Sequence, residues 1–556
     1  MKTSIKILTL LVSILTLTTS CEDFNDLNVD PTTSTIANPK TLISKVQTSY
    51  SGDRETQWRS LAAYHMSITQ MISDGWTVSH GQAYKLDISY MEYMWKSSYR
   101  EISDLTYAIQ EAEQNPELVN YEAVARILKV MIFAQLTDTY GDLPYFEAGA
   151  QAEADNLHPA YDNQEDIYND FFKELKEAAT QLDNTKALEG DLMYNGDVER
   201  WRKFANSLRL RYAMRLVNVN LSKAKIEAVS AINDGVMENI DDAAKVEHGD
   251  FTVSTSGTSE IRGNGFSQVQ NFSEEIMVAC ETYVSYLREN NDPRLLMMFG
   301  MYAAYQEDAT SRYNSKSSTE TSVEITQEYL ATYGILEGYT PGYFLFETPE
   351  GAPADIWSPR FVEKNGRTVQ IDKYFKPLQI RRHLTRIDLP SIYQSYSEVE
   401  LWLAEAAQRG WSNFGGDAKT HYKNAIFANI DELVLILGAE PNLNINSDAY
   451  AENLWNNTSD KMEAINMQHY INNFYNGIEG FANWRRSGFP KLKPTTNNPY
   501  TDQTLNGLIP RKLPYPNTEM NFNRENLEAH LDNGVNFWGA PVWWDNSLTR
   551  GVDLSD

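Results

Sequence analysis

Cysteine is almost missing from this chain: 556 residues contain two, Cys21 and Cys280. That excludes a disulfide-stapled miniprotein, and a chain this long buries a core without disulfide or metal staples. Basic side chains are also short, 48 Lys and Arg against 76 Asp and Glu, for a formal net charge of −28. Such a balance excludes broad nucleic-acid binding, because phosphate neutralisation needs a basic surface. The eight histidines are scattered and never fall three or four residues apart. There is no His-Glu-x-x-His, no Gly-x-Ser-x-Gly, no phosphate-binding glycine loop and no Cys-x-x-Cys. No metal or catalytic group is therefore expected. Paired carboxylates for glycoside hydrolysis stay open, since any of the 76 acids could meet in space, but abundance is not evidence for them. Long apolar runs are absent after residue 20, so nothing approaches the roughly 20 residues of a membrane span.

Residues 1–20 have the three-part plan of a secretory signal: Lys2 and Lys6, an apolar stretch over residues 7–17, then Thr18-Thr19-Ser20. Cys21 follows small residues directly, which resembles a bacterial lipobox and makes Cys21 the expected lipidated first residue of the mature chain. A plain signal cleaved nearby is the alternative. Without residues 1–20 the net charge is −30, because that stretch carries two lysines and no acid. With Cys21 acylated, Cys280 has no disulfide partner and is expected to be a buried small hydrophobe. Glu22 and Asp23 resemble the acidic export tag of surface lipoproteins in the Bacteroidota.

What the chain has in excess is rings: 32 Tyr, 21 Phe and 12 Trp, or 12% of all residues. Many fall on helical stripes. Val124, Ile127, Leu128, Met131 and Ile132 recur at helical spacing over residues 121–136, and Ile167, Phe171, Leu175 and Ala178 do so over 164–182. Trp201, Phe204, Leu208, Tyr212, Leu216 and Val219 keep one face over 198–219, a core stripe first of all. Residues 397–409 carry Val399, Trp402, Leu403 and Ala406, with Ser397 expected as N-cap and Glu400 as the third position of a capping box. Gly410 ends that helix and Asp417 opens the next, through Tyr422, Ala425 and Ile426. Small Ala404, Ala406 and Ala407 suit a close helix–turn–helix pair, one tetratricopeptide-like unit, although the period is not strict enough to count repeats. Between helical blocks lie a Gly, Ser, His and aromatic loop at 75–90 and a polar excursion at 307–321. A Pro- and Gly-rich region follows at 334–390, and a Pro- and Asn-rich stretch from 491 to 521. No linker divides the chain, so residues 21–556 are expected as a single domain.

Six blocks carry a family resemblance. Cys21-Glu-Asp-Phe-Asn-Asp-Leu-Asn-Val-Asp-Pro31 looks like the mature start of the SusD/RagB family of outer-membrane nutrient-binding lipoproteins. Thr137-Asp-Thr-Tyr-Gly-Asp-Leu-Pro-Tyr145, Trp201-Arg-Lys-Phe-Ala-Asn-Ser-Leu-Arg-Leu-Arg211 and Glu398-Val-Glu-Leu-Trp-Leu-Ala-Glu-Ala406 are similar to its internal signatures. Ile509-Pro-Arg-Lys-Leu-Pro-Tyr-Pro516 and Val542-Trp-Trp-Asp545 resemble its C-terminal ones, and all six occur in family order. The resemblance implies a mainly α fold, a tetratricopeptide-like helical scaffold with a large loop-rich half. It also implies a SusC-like TonB-dependent transporter barrel as partner, over which the lipoprotein closes as a lid, and an oligosaccharide or sometimes a peptide as ligand. A structural subunit of an outer-membrane complex, without a nutrient ligand, is the competing reading; a glycoside hydrolase is a third.

The signatures themselves read as structure. Arg209, Arg211 and Arg215 are expected to span a helix seam and pair with carboxylates, Asp138 and Asp142 to mark a helix end and turn, and Trp543 and Trp544 to dock the chain end. Ligand candidates are rings on loops, because sugar C–H faces pack on Trp or Tyr while short polar side chains bond the hydroxyls. Asp74-Gly75-Trp76, followed by His80, Gln82 and Tyr84, has that make-up, and in the family a Trp soon after the first long helix can line the sugar site, which Trp76 fits. Trp95 instead joins Met91, Tyr99 and Ile102 in a core stripe. Tyr339, Tyr343, Phe344 and Trp357 are candidates for an opposite wall.

Overall fold

A computed structural model describes residues 38–73, 79–149, 157–250, 261–272, 277–300, 302–305, 322–324, 360–364, 367–371, 379–411, 414–439, 446–495 and 498–545. The architecture is helical. Helix α1, Pro39–Gly52, starts at Asn38, whose side chain accepts the Lys40 N–H, with proline in its first turn. A ten-residue π-helix, Gln57–Met66, follows. Then come α2 Ile88–Glu113, α3 Val119–Tyr140, α4 Gln164–Gln181, α5 Val198–Arg215 and α6 Leu221–Asp234. Neighbours in sequence pack on one another: α2 on α3, α3 on α4, α4 on α5 and α5 on α6. The second helical block is α7 Tyr396–Gln408, α8 Ala418–Leu435, α9 Ser447–Asn457, α10 Lys461–Asn472 and α11 Gly477–Ser487. Stacked helix pairs of this kind are the tetratricopeptide-like scaffold. No helix among the described residues is long and apolar enough to cross a membrane.

The stripes bury as their spacing predicts. Ile127, Ile132, Ile167, Phe171, Leu175, Trp201, Phe204 and Leu208 have no solvent exposure and share one core with Trp95. Between α7 and α8, Ala404 packs with Tyr422, Ala425 and Ile426. Asp417 caps α8 by accepting the Thr420 N–H at 2.8 Å, and Gly410 sits at φ 69 beyond the end of α7. Cys280 is buried, just before the short helix Glu281–Glu289.

Two boundaries differ from the sequence reading. The N-cap of α7 is Ser395, whose hydroxyl accepts the Glu398 N–H at 3.1 Å; Ser397 lies inside the helix and turns to Glu432. Glu400 bonds His421 instead of closing a capping box. Helix α5 ends at Arg215, and residues 216–219 form a turn. The aromatic loop at 75–90 contains a helical turn, Ser79–Gln82, and the first residues of α2.

Strands are short. β1 Ile72–Ser73, β3 Val278–Ala279, β9 Gln379–Ile380 and β4 Phe299–Gly300 form one antiparallel sheet in that order. β2 Ala244–Val246 pairs with β10 Ser391–Gln394. The third sheet, in the order β6 Ser322–Glu324, β5 Tyr302–Tyr305, β8 Arg367–Ile371 and β7 Arg360–Lys364, shows that part of the Pro- and Gly-rich region is a hairpin. The excursion at 307–321 lies outside the described residues.

Buried ion pairs lock the two helical blocks together. On α5, Arg211 bonds Glu398 of α7 through Nε at 2.7 Å and Nη2 at 2.6 Å, and Arg215 Nη2 donates to Glu479 of α11 at 2.6 Å. Arg209 pairs with Asp234 of α6 at 2.7 Å. Burial alone would push the Glu479 carboxyl up, but Arg211 and Arg215 hold it below the ordinary range. Asp138, in the last turn of α3, accepts bonds from Tyr168 and from the indole N–H of Trp544, which docks the chain end. Asp142 caps α4 by accepting the Gln164 N–H at 2.7 Å. All three arginines are thus committed to carboxylates, Arg211 and Arg215 in the interior and Arg209 to Asp234 at the surface.

Candidate functional site

The outer side of the π-helix presents an aromatic surface. Trp58 and Arg59 project from it beside Tyr90 and Tyr93 at the start of α2, and all four are half-buried. The Arg59 guanidinium carbon stands 5.0 Å from the Trp58 ring centre, 4.5 Å from that of Tyr90 and 4.7 Å from that of Tyr93. Trp58 and Tyr90 meet edge to face at 6.0 Å, and the His80 ring lies flat on Tyr90 at 4.5 Å. Four rings and a guanidinium thus form one continuous, partly exposed face. A π-helix is rare and often marks a functional site; here it turns two consecutive residues, Trp58 and Arg59, toward the same rings.

Polar groups surround these rings. Arg59 Nε donates to Glu55 Oε2 at 2.8 Å, while its two Nη groups have no hydrogen-bond partner among the described residues. Burial opposes the Arg59 charge, and the Glu55 bond more than offsets it. Lys85 Nζ lies 3.1 Å from His80 Nε2, and Asp87 Oδ2 is 3.5 Å from the same nitrogen. Burial and the Lys85 charge push His80 below the ordinary imidazole value, so the ring is neutral at neutral pH. Asp87 is held below the usual carboxylate range despite burial, by Ser89, His80 and Lys85.

The segment bearing His80 is clamped from both sides. A Cβ on Gly81 would lie 2.4 Å from both the Ala63 carbonyl oxygen and Ser67 Oγ, so only glycine lets this turn rest on the π-helix. From the other side, Thr495 donates to the Gln82 carbonyl at 2.7 Å, Thr501 to that of Ala83 at 2.8 Å, and the Asp502 N–H to that of Tyr84 at 2.9 Å. Tyr84 sits at φ 50 with its ring buried, so in this structure it anchors the turn and does not face solvent.

Of the sequence candidates, His80 lies in the aromatic face and Tyr84 is buried in the turn that follows it. Trp76, Tyr339, Tyr343, Trp357 and Cys21 fall outside the described residues. Sequence reasoning passed over Trp58, Arg59, Tyr90 and Tyr93. The available signal was the i, i+3 spacing of the two tyrosines beside the Met91, Met94, Trp95 stripe. Trp95 itself is core, as its stripe predicts. Among the described residues, no group of three or more His, Cys, Asp or Glu could hold a metal ion.

Comparison with known proteins matches residues 31–516 to the SusD-like family described as starch-binding and associating with the outer membrane. Among solved structures, a chitin-binding protein is 32% identical with a TM-score of 0.73, covering 92% of this chain and 100% of that one. A SusD-like protein from Bacteroidetes AC2a is 31% identical with a TM-score of 0.79, over the same shares of the two chains. A SusD-like protein from Bacteroides thetaiotaomicron, at 21% identity and a TM-score of 0.62, covers 91% of this chain and 98% of its own. A search of curated proteins finds no match. With the family match spanning residues 31–516 and the fold shared over 92% of the chain with relatives 31–32% identical, this chain belongs to the SusD-like family.

Proposed function

We propose that this protein captures an oligosaccharide at the surface of the outer membrane and delivers it to a SusC-like TonB-dependent transporter. The observation that carries the reading is the face formed by Trp58, Tyr90, Tyr93 and His80, with unpaired Arg59 donors among the rings. Rings offer flat surfaces to sugar C–H groups, and Arg59, Lys85 and Asp87 offer bonds to hydroxyls. Trp76 leads directly into this segment and would extend the face; Tyr339, Tyr343 and Trp357 would supply the opposite wall. The described kinship with starch- and chitin-binding proteins supports a glycan ligand. Residues 1–20 would be removed, Cys21 acylated, and residues 21–556 would act as one unit on that tether. The chain would bind and orient its ligand without chemistry, while energy coupling acts on the barrel.

Isothermal titration with malto- and chito-oligosaccharides tests the capture step. Binding that Trp58→Ala weakens is expected. No binding to any glycan, by the protein alone or with its barrel, would overturn the reading. Co-purification from outer membranes tests the partner.

A further inference from the structure

The inner side of the π-helix faces a cavity of about 80 Å³ with an uncharged lining of mixed polar and apolar side chains, bounded also by α1, α2, α3 and β10. At roughly 10–15 Å³ per water, that is room for roughly five to eight waters, or for one small organic molecule. None of its lining residues is Asp, Glu, Lys, Arg or His, in a chain where 22% of residues are charged. An ion entering would lose its hydration without a counter-charge, which is costly, so the lining selects a neutral occupant.

Four side chains on four elements turn unused hydrogen-bonding groups to this space. Gln135 Oε1 from α3 is buried with no hydrogen-bond partner, and the Tyr50 hydroxyl from α1, the Gln57 amide from the π-helix and Ser98 Oγ from α2 line the same space with no side-chain hydrogen bond to a described residue. Ser98 and Gln135 are 2% and 4% exposed. Buried polar groups are nearly always satisfied, so two such side chains converging on one void point to something that satisfies them. The remaining polar wall is already bonded: Ser97 and Thr56 donate to Asp53 at 3.1 and 2.9 Å, and the Tyr393 hydroxyl donates to the Gln47 carbonyl at 2.9 Å. Tyr50 and Tyr393 set their rings 5.8 Å apart along one side. Water would satisfy the amides and hydroxyls but gain nothing from the rings. A molecule with both C–H faces and hydroxyls uses the whole lining.

We infer that this cavity is a second, internal binding site, for a neutral hydroxyl-bearing molecule between glycerol and a hexose in size, held by Tyr50, Gln57, Ser98 and Gln135. It is separate from the outer face and does not depend on oligosaccharide capture there. The test is saturation-transfer NMR and titration of the full chain with glycerol, erythritol and D-glucose, using Ser98→Val and Gln135→Leu beside the wild type. At least one probe should bind, each substitution should weaken it tenfold or more, and oligosaccharide binding at the outer face should not change. Both variants remove a polar group that has no partner to strand, and the adjoining cavity has room for the extra methyl of valine, so they are expected to fold. Failure of all three probes to bind, or equal binding by both variants, would overturn the assignment. So would a crystal of the wild type soaked with a probe that shows only ordered water in the cavity; density for the probe there supports it even if a variant fails to fold.

Discussion

Glu432, buried on α8, is expected to keep its proton near neutral pH, and the reason is a count of hydrogen atoms. Arg294 Nη1 can only donate, so the Asn429 atom it meets at 2.8 Å is Oδ1. The other Asn429 atom, Nδ2, therefore donates to Asn472 Oδ1 at 2.9 Å. That same Asn472 oxygen also rests against Ser397 Oγ, which in turn contacts Glu432 Oε2. Ser397 has one hydroxyl proton for two close acceptors, so a carboxyl that keeps its own proton relieves the contact. The charged groups around it are committed elsewhere: Arg294 to Asp292, Arg211 to Glu398. Burial, against the bonds from Ser397 and Asn429, pushes Glu432 up from 4.5 to about 7.

The sign follows from which state holds the proton. Below 4.5 both folded and unfolded chains hold it; between 4.5 and 7 only the folded chain does, so stability falls as pH rises through that window and levels off above it. At about 1.4 kcal/mol per unit, the whole window amounts to roughly 3 kcal/mol, of which roughly 2 lies between about pH 5.5 and pH 8. Glu432→Gln supplies a permanently neutral donor to Ser397. Urea unfolding of both proteins across that range should show the variant gaining roughly 2 kcal/mol on the wild type. Parallel pH profiles for the two proteins would refute the proton count.

Three further outcomes are expected. Glu405 is held down to about 2 although buried, because Arg486 and Arg409 outweigh burial; its contribution is present above the usual carboxylate value and lost as pH falls through about 2. Glu405→Ala strands buried Arg486, so unfolding free energy should drop by about 3–5 kcal/mol, measurable by urea denaturation. Gly81→Ala drives a methyl into the Ala63 carbonyl and should lift the His80 turn, lowering oligosaccharide affinity in titration while α2 keeps its circular dichroism. Tyr90→Ala removes the ring shared by Trp58, Arg59 and His80 and should weaken glycan binding about tenfold, about 1.4 kcal/mol.

How much of this was legible depends on the range of the interaction. The stripes from Val124 to Ile132 and from Trp201 to Leu208 declared themselves because a helix repeats every 3.6 residues and its buried face is written locally. The pairing of Arg209, Arg211 and Arg215 with carboxylates followed from charge and position, although which acids they meet did not. At α7, Ser395 and Ser397 each precede a glutamate by three residues, so the local pattern fits two caps equally. The choice fell to Glu432, 35 residues away, which takes the Ser397 hydroxyl.

The amino-acid sequence by itself determined the family, the helical class and the location of the core, since all three rest on short-range periodicity and blocks in order. Only the tertiary structure decided which rings face outward. Tyr84 read as a loop aromatic, yet residues 495–502 bond the backbone around it and its ring is buried. Trp58 and Arg59 carry no signal beside each other in the chain; they become a surface when a π-helix brings them against Tyr90 and Tyr93. The inner cavity likewise takes its unpaired groups from residues 50 to 135, which no local pattern links. Burial is a sum over contacts distant in sequence, and contacts of that kind leave no period to read.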